Sequence, residues 1–410
     1  AAPRTIQQVD RRQPLLTLTP EAAQTTARSL SVRIAVAAAP AGARDLRLFR
    51  NGSLVRAWRG DLAGQTTFDA TVTLAAGDNR LSAYAFNRDN VRSAEVHTVV
   101  RSTAPAQQGV AYVLAIGVND YANPEFNLKY AAPDARRTVE ALTAKLSALA
   151  RYREVAGVLL TDAEATKPAI EWALARLAGK AGDPPANTPP QLLRLQPAQP
   201  EDLVILSFAG HGFASGDRFH LVPHDLGYSG PRSAVRSALS ALAAHSLSDL
   251  DLERAFEPID AGHLLFIIDA CQAGQALESD DVRRGPMNSK GLAQLAYEKG
   301  IHILAAAQAY QAAMETERLG HGYLTYALIK EGLTSPAADR KPADGEITAI
   351  EWFEHAALRV PQLQAEALEQ AQRANRLLTF HAQPDAEPHR LQTPRVYYRP
   401  DGSTPVVARR

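Results

Sequence analysis

The stretch Leu264-Leu265-Phe266-Ile267-Ile268-Asp269-Ala270-Cys271-Gln272-Ala273-Gly274 decides how this chain is read. Five apolar residues in a row, too few for a helix, describe a strand buried on both faces. The run ends by delivering a thiol into small, flexible residues. Cys271 is the only cysteine of 410 residues. A second apolar run, Leu203-Val204-Ile205-Leu206-Ser207-Phe208, ends in Ala209-Gly210-His211-Gly212 and delivers an imidazole in the same way. Groups that act on ligands gather outside the carboxyl ends of strands in α/β sheets. A lone Cys is commonly a small buried hydrophobe. The pairing of two strand ends is what makes Cys271 and His211 a candidate thiol dyad.

The segments around that core alternate strand and helix. Val110 to Gly117 reads as a buried strand, Ala131 to Ala150 as a helix, Val155 to Leu160 as a strand and Lys167 to Leu177 as a helix. A helix near Leu247 to Phe256 precedes the Cys strand. A strand at Ile301 to Ala307 and a helix from Tyr323 to Glu331 follow it. This order predicts an α/β fold with a mainly parallel sheet covered by helices on both faces. Asp183 to Pro200, rich in Pro and Gln, reads as an exposed loop. From Leu30 to Val100 the period changes to two, with turn signals at Asn51-Gly52 and Gly77-Asp78-Asn79, which argues an all-β sandwich ahead of the α/β unit. The expected division is a lead-in over 1–29, the sandwich over 30–103 and the α/β unit over 104–410.

Bulk numbers bound the function. Hydrophobic residues make up 46% of the chain, enough for a substantial core. Lys plus Arg and Asp plus Glu stand at 44 each, so no global field favours nucleic acid. One cysteine excludes an internal disulfide and a Cys-rich zinc site. No run of about 18 apolar residues predicts a membrane span. The start at Ala1-Ala2-Pro3 lacks Met, so a removed signal or an upstream domain stays open. The expectation is a bacterial, cytoplasmic protein, Ala-rich with Arg well ahead of Lys.

The two boxes resemble those of caspase-like cysteine peptidases. Ser207-Phe208-Ala209-Gly210-His211-Gly212 is similar to the family's His box and Asp269-Ala270-Cys271-Gln272-Ala273-Gly274 to its Cys box. Caspases place Gln-Ala before the Cys and the His about 50 residues upstream. Here Asp-Ala precedes Cys271, which is closer to metacaspases and the prokaryotic orthocaspases. Gln272 and Ala273 depart from their His-Ser. The resemblance runs from about Ala111 to Leu333. It implies large- and small-subunit parts at about 110–280 and 291–400, and peptide hydrolysis through a thioacyl-enzyme. Cys271 would be the nucleophile and His211 the general acid/base. The N–H groups of Gly212 and Cys271 would form the oxyanion hole. The 30–103 segment is similar to bacterial immunoglobulin-like modules and could bind a protein partner.

Specificity rests on two carboxylates. Asp269 lies two residues before Cys271, and i and i+2 share a strand face. Asp134, in Leu128-Lys129-Tyr130-Ala131-Ala132-Pro133-Asp134-Ala135, matches the aspartate of the metacaspase Asn-Asp-Ala motif. Together they would select Arg or Lys before the scissile bond; Arg is favoured because carboxylates grip its fork in pairs. Asp134 reads equally as a helix N-cap, and Asp269 as a carboxylate bonded to a neighbouring loop. An Asp-specific caspase is a further alternative, though no matching arginine set is visible. Gln275 to Lys290 falls where relatives are cut between subunits. Arg283, Arg284 and Lys290 are the self-cleavage candidates there; an ordinary solvated loop is the alternative. The acidic residues Glu278, Asp280 and Asp281 admit calcium without matching an EF-hand, and no other cofactor or metal is expected. His220, His224, His263 and His321 lack ligand spacing and read as structural. A catalytically silent scaffold, or a different cysteine hydrolase such as an amidase, competes with the peptidase reading.

Overall fold

The computed structural model describes residues 9–215, 218–272, 290–306, 320–378, 392–399 and 403–410. The N-terminal part is built from eight strands: β1 (Leu15–Pro20), β2 (Gln24–Thr25), β3 (Ser29–Ala37), β4 (Arg44–Arg50), β5 (Ser53–Asp61), β6 (Thr67–Thr73), β7 (Gly77–Phe86) and β8 (Val96–Ser102). They form two sheets, ordered β1-β3-β6 and β2-β8-β7-β4-β5. Strict alternation in β3 turns Leu30, Val32, Ile34 and Val36 inward, where they meet Leu46 and Leu48 of β4 and Leu81 and Ala83 of β7 in one apolar cluster. Residues 15–25, expected as part of a lead-in, belong to this unit instead. Leu16 and Leu18 of β1 pack against its core, and their alternation with Thr17 and Thr19 is a strand pattern.

The remainder is a mixed α/β unit. Its sheet contains β9 (Val110–Gly117), β10 (Glu154–Thr161), β11 (Leu203–Ser215), β12 (Arg218–Val222), β13 (Leu247–Ser248), β14 (His263–Gln272), β15 (His302–Ala306) and, later in the chain, Arg395–Tyr397. The order along the main path is β10-β9-β11-β14-β15 and then that last strand, which alone on the path runs antiparallel. Helices α1 (Ala131–Ala148), α2 (Lys167–Leu177), α3 (Leu239–His245), α4 (Asp249–Phe256), α5 (Lys290–Lys299), α6 (Tyr323–Thr325, continued as π-helix over Tyr326–Thr334) and α7 (Ala349–Leu378) complete the unit. The continuous apolar runs follow from burial on both faces. In β14, Leu264, Phe266 and Ile268 join one cluster with α2 and α4; Leu265 and Ile267 join the other with α1, α6 and α7. The 183–200 stretch is not wholly exposed. Its Leu192 and Leu195 are fully buried, carried inward by a 3-10 turn at Pro190–Arg194.

The two units meet along a charged seam. Arg47 pairs with Glu298 at 2.9 Å and Arg50 with Asp260 at 2.9 Å. Arg28 grips Glu201 at 2.6 Å. Lys299, 1% exposed, donates to Leu54 O at 2.6 Å, and Ser53 Oγ donates to Lys299 O at 3.0 Å.

Candidate active site

The site forms where β11 and β14 end side by side. Their parallel register pairs His211 directly with Cys271, Gly212 with Gln272, and Ala209 with Asp269. On the other edge of β11, where its pairing with β9 ends at Ala209, β12 pairs antiparallel from His211 opposite Val222. The backbone of Cys271 is thus fixed beside that of His211; its side chain lies outside what the structure describes.

His211 is 2% exposed. Its Nε2 lies 2.7 Å from Phe126 O. A carbonyl oxygen can only accept, so Nε2 carries the proton and Nδ1 presents a lone pair. Nδ1 is buried and has no hydrogen-bond partner among the described residues. The ring stacks on Tyr121 with centroids 5.0 Å apart and meets the Phe126 ring edge-on at 6.1 Å. Tyr121 Oη accepts the backbone N–H of His211 at 2.8 Å and donates to Val222 O at 3.4 Å. Burial pushes the imidazole down to about 4, with the Arg232 charge acting in the same direction and the Phe126 carbonyl against it. The ring is neutral at pH 7, oriented, and has one nitrogen unused.

Phe126 is the partner of His211 that sequence reading misses. Its carbonyl is set by a short 3-10 turn, Pro124–Phe126, capped by Asn123. Asn123 Nδ2 donates to Gly230 O at 2.8 Å and Tyr228 O at 3.2 Å, which anchors the turn. Only the Asn-Pro start of that turn is a sequence signal, and it says nothing of a catalytic partner.

The glycines beside His211 are required by the protein's own rings. A Cβ at Gly212 would lie 2.8 Å from the Phe219 ring, and one at Gly210 2.9 Å from Tyr121 Oη.

The two candidate specificity carboxylates are both buried, Asp134 at 3% and Asp269 at 7% exposure. Alternation puts Asp269 on the sheet face of Leu265 and Ile267, the face that α1 covers. Asp134 belongs to the first turn of α1 but does not cap it. Its Oδ1 accepts from His321 Nδ1 at 3.0 Å and its Oδ2 from Gly322 N–H at 2.8 Å, at the start of α6. Burial pushes Asp134 above the usual carboxylate range, opposed by those two donors and by the Thr325 hydroxyl. Arg283, Arg284 and the acidic residues 278–281 lie outside the described residues, as does the side chain of Lys290, the first residue of α5. Among the described residues no group of three or more His, Cys, Asp or Glu could hold a metal. No described helix is long and apolar enough to cross a membrane.

Residues 190–374 match the family model of the caspase domain. The match contains His211, Asp269 and Cys271 and begins after Asp134. It supports a caspase-like domain of the cysteine-type peptidase class. No curated protein matches in sequence. Among solved structures, fibronectin(III)-like modules of Clostridium thermocellum CbhA share 12% identity over 23% of this chain and 100% of theirs, with a TM-score of 0.19. The PKD domain of an M14-like peptidase from a Thermoplasmatales archaeon shares 14% over 23% of this chain and 98% of its own, with a TM-score of 0.19.

Proposed function

We propose that the chain is a cysteine endopeptidase that cleaves after Arg or Lys, with Cys271 as nucleophile and His211 as general acid/base. The observation that carries this reading is the His211 ring, locked by Nε2–H to Phe126 O, with Nδ1 buried and unpartnered among the described residues, on the strand in register with Cys271. Nδ1 takes the thiol proton, and the thiolate adds to the scissile carbonyl carbon. The imidazolium keeps its Nε2 hydrogen on Phe126 O, which favours the charge as it forms. The oxyanion is received by the N–H groups of Gly212 and Cys271, each donor contributing roughly 3 kcal/mol to the transition state. Nδ1–H then protonates the departing amine as the C–N bond breaks. The same nitrogen, proton-free again, takes a proton from the water that hydrolyses the thioester. Asp269 and Asp134 supply the negative charge that selects a cationic side chain.

In this reading residues 15–103 are an immunoglobulin-like module that can hold a protein partner, and residues 104–410 are the peptidase. The whole works in a bacterial cytoplasm and cuts itself within 275–290, at Arg283, Arg284 or Lys290. The test uses fluorogenic peptides ending in Arg, Lys or Asp, each with and without calcium. Arg and Lys peptides are turned over, and Cys271→Ala abolishes this without changing the circular dichroism. Preference for Asp peptides overturns the specificity. Turnover that persists in Cys271→Ala overturns the mechanism, and no turnover of any peptide favours a silent scaffold.

A further inference from the structure

The carboxylate assigned above to cation selection is already occupied by the chain itself. Asp134 sits in the first turn of α1 with both oxygens engaged, Oδ1 by His321 Nδ1 and Oδ2 by Gly322 N–H. The two contacts differ in kind. Gly322 N–H is backbone at the start of α6, so it keeps its place with the helix. His321 is a side chain, a quarter exposed, on the residue before. It can rotate away at the cost of one hydrogen bond.

The Asp134 carboxylate is almost sealed from solvent, whereas the His321 ring bonded to it is a quarter exposed. Two grooves flank it, of about 350 Å³ and 500 Å³. The residues lining both include His321, Arg137 and Glu140, and neither set includes Asp134. Asp134, 3% exposed, lines neither groove and is bonded to His321, which lines both. Arg137, one turn along α1, pairs with Glu140 at 3.9 Å. An imidazole N–H donating to a buried carboxylate makes the contact that a guanidinium or ammonium would make there.

We infer that His321 is an in-chain occupant of the Asp134 carboxylate, which a substrate's Arg or Lys side chain must displace before it can bind. This rests on the reading of Asp134 as a cation-selecting residue. His321 then tunes substrate affinity through Asp134. It weakens all cationic ligands by the strength of its own bond. A partly exposed, charge-assisted hydrogen bond of this kind corresponds to roughly a three- to tenfold effect on affinity.

The experiment measures agmatine, an arginine-like guanidinium without a scissile bond, binding to the full-length Cys271→Ala protein by calorimetry. Turnover of Arg peptides is measured in parallel on the active enzyme. His321→Ala should bind agmatine about fivefold more tightly. His321→Gln, which retains bulk and an N–H donor without an imidazole, should fall between Ala and His. On the active enzyme, His321→Ala should lower KM for Arg peptides by a similar factor and leave kcat unchanged, a split that general loosening of the fold would not give. Asp134→Asn should abolish agmatine binding, whether or not it is combined with His321→Ala. Affinity in His321→Ala equal to or weaker than in the unmodified chain overturns the inference. If Asp134→Asn turns over Arg peptides as well as the unmodified enzyme, the assignment of Asp134 itself fails. If Asp134→Asn is impaired yet His321→Ala leaves KM unaltered, the assignment stands and the displacement falls.

Discussion

Lys299→Met should stabilise this protein at pH 7 and flatten its stability above pH 8. Lys299 ends α5, is 1% exposed, and sends its ammonium into the seam between the two units, where Leu54 O accepts it at 2.6 Å. Burial pulls it down from 10.5 to about 8, with Arg50 adding to the fall and Asp260 and Glu257 opposing it. The native value lies below the unfolded one, so the native state sheds its proton first. Stability therefore rises with pH between 8 and 10.5, and the penalty is fully present below 8. A fall of this size corresponds to about 3 kcal/mol at pH 7. Methionine removes that penalty and leaves Leu54 O without its donor, which costs about 1 kcal/mol. The expected net gain is about 2 kcal/mol at pH 7. Urea denaturation of both proteins between about pH 7.5 and 9.5 checks it, and the unmodified chain should gain about 2 kcal/mol relative to the variant over that range. The buried phenols Tyr84 and Tyr112, pushed up to about 12, do not intrude, because their contribution changes only above pH 10. A variant less stable at pH 7, with a stability difference independent of pH, would show the charged lysine to be a net stabilising element of the seam.

Two further outcomes follow from buried polar groups. His302 has no partner for either ring nitrogen among the described residues, stacks on Tyr398 at 6.1 Å, and is pushed down to about 4 by burial and then by His263. Its native value lies below 6.5, so stability is lost as pH falls from 6.5 towards 4. His302→Phe, which preserves the stacked ring, should recover about 2 kcal/mol of that loss at about pH 4.5 in thermal unfolding, and an unchanged acid limb refutes it. Tyr121→Phe removes the acceptor of the His211 N–H while the ring contact remains. It should cost about 1–3 kcal/mol of stability and lower kcat more than it raises KM; wild-type values of both would mean that another group satisfies that N–H.

The architecture around the site is legible in the sequence because burial on two faces forces an unmistakable composition. Leu203 to Phe208 and Leu264 to Ile268 have no polar alternation except Ser207, and both lie in the middle of the sheet. Their register is not legible. That His211 faces Cys271, and not a residue two positions away, is set by the hydrogen-bond ladder. Strand β1 is harder to read because Leu15 breaks the alternation at its start and Pro20 closes it, which leaves Leu16 and Leu18 alone as a period-two signal. The seam escapes sequence reading for a different reason. Arg47 and Glu298 are ordinary charged residues in sequence, and only their 7% and 11% side-chain exposure in the fold makes them an interface. The same holds for His321, structural by its spacing, which meets Asp134 across 187 positions.

Phe126 marks a deeper limit. A sequence advertises side chains, and a backbone carbonyl belongs to every residue alike. What makes this carbonyl the partner of His211 is position, and position is encoded elsewhere. Asn123 caps the turn through its Oδ1 and ties it through Nδ2 to Gly230 and Tyr228. Tyr121, two residues earlier, holds the His211 backbone. The Phe126 ring also packs against the Tyr228 ring at 6.2 Å. The imidazole is thus oriented by one loop, residues 121–126, whose conformation depends on a second, residues 228–230. A substitution at Asn123, far from both His211 and Cys271 in sequence, should release the one described oxygen that fixes which nitrogen of His211 holds the proton.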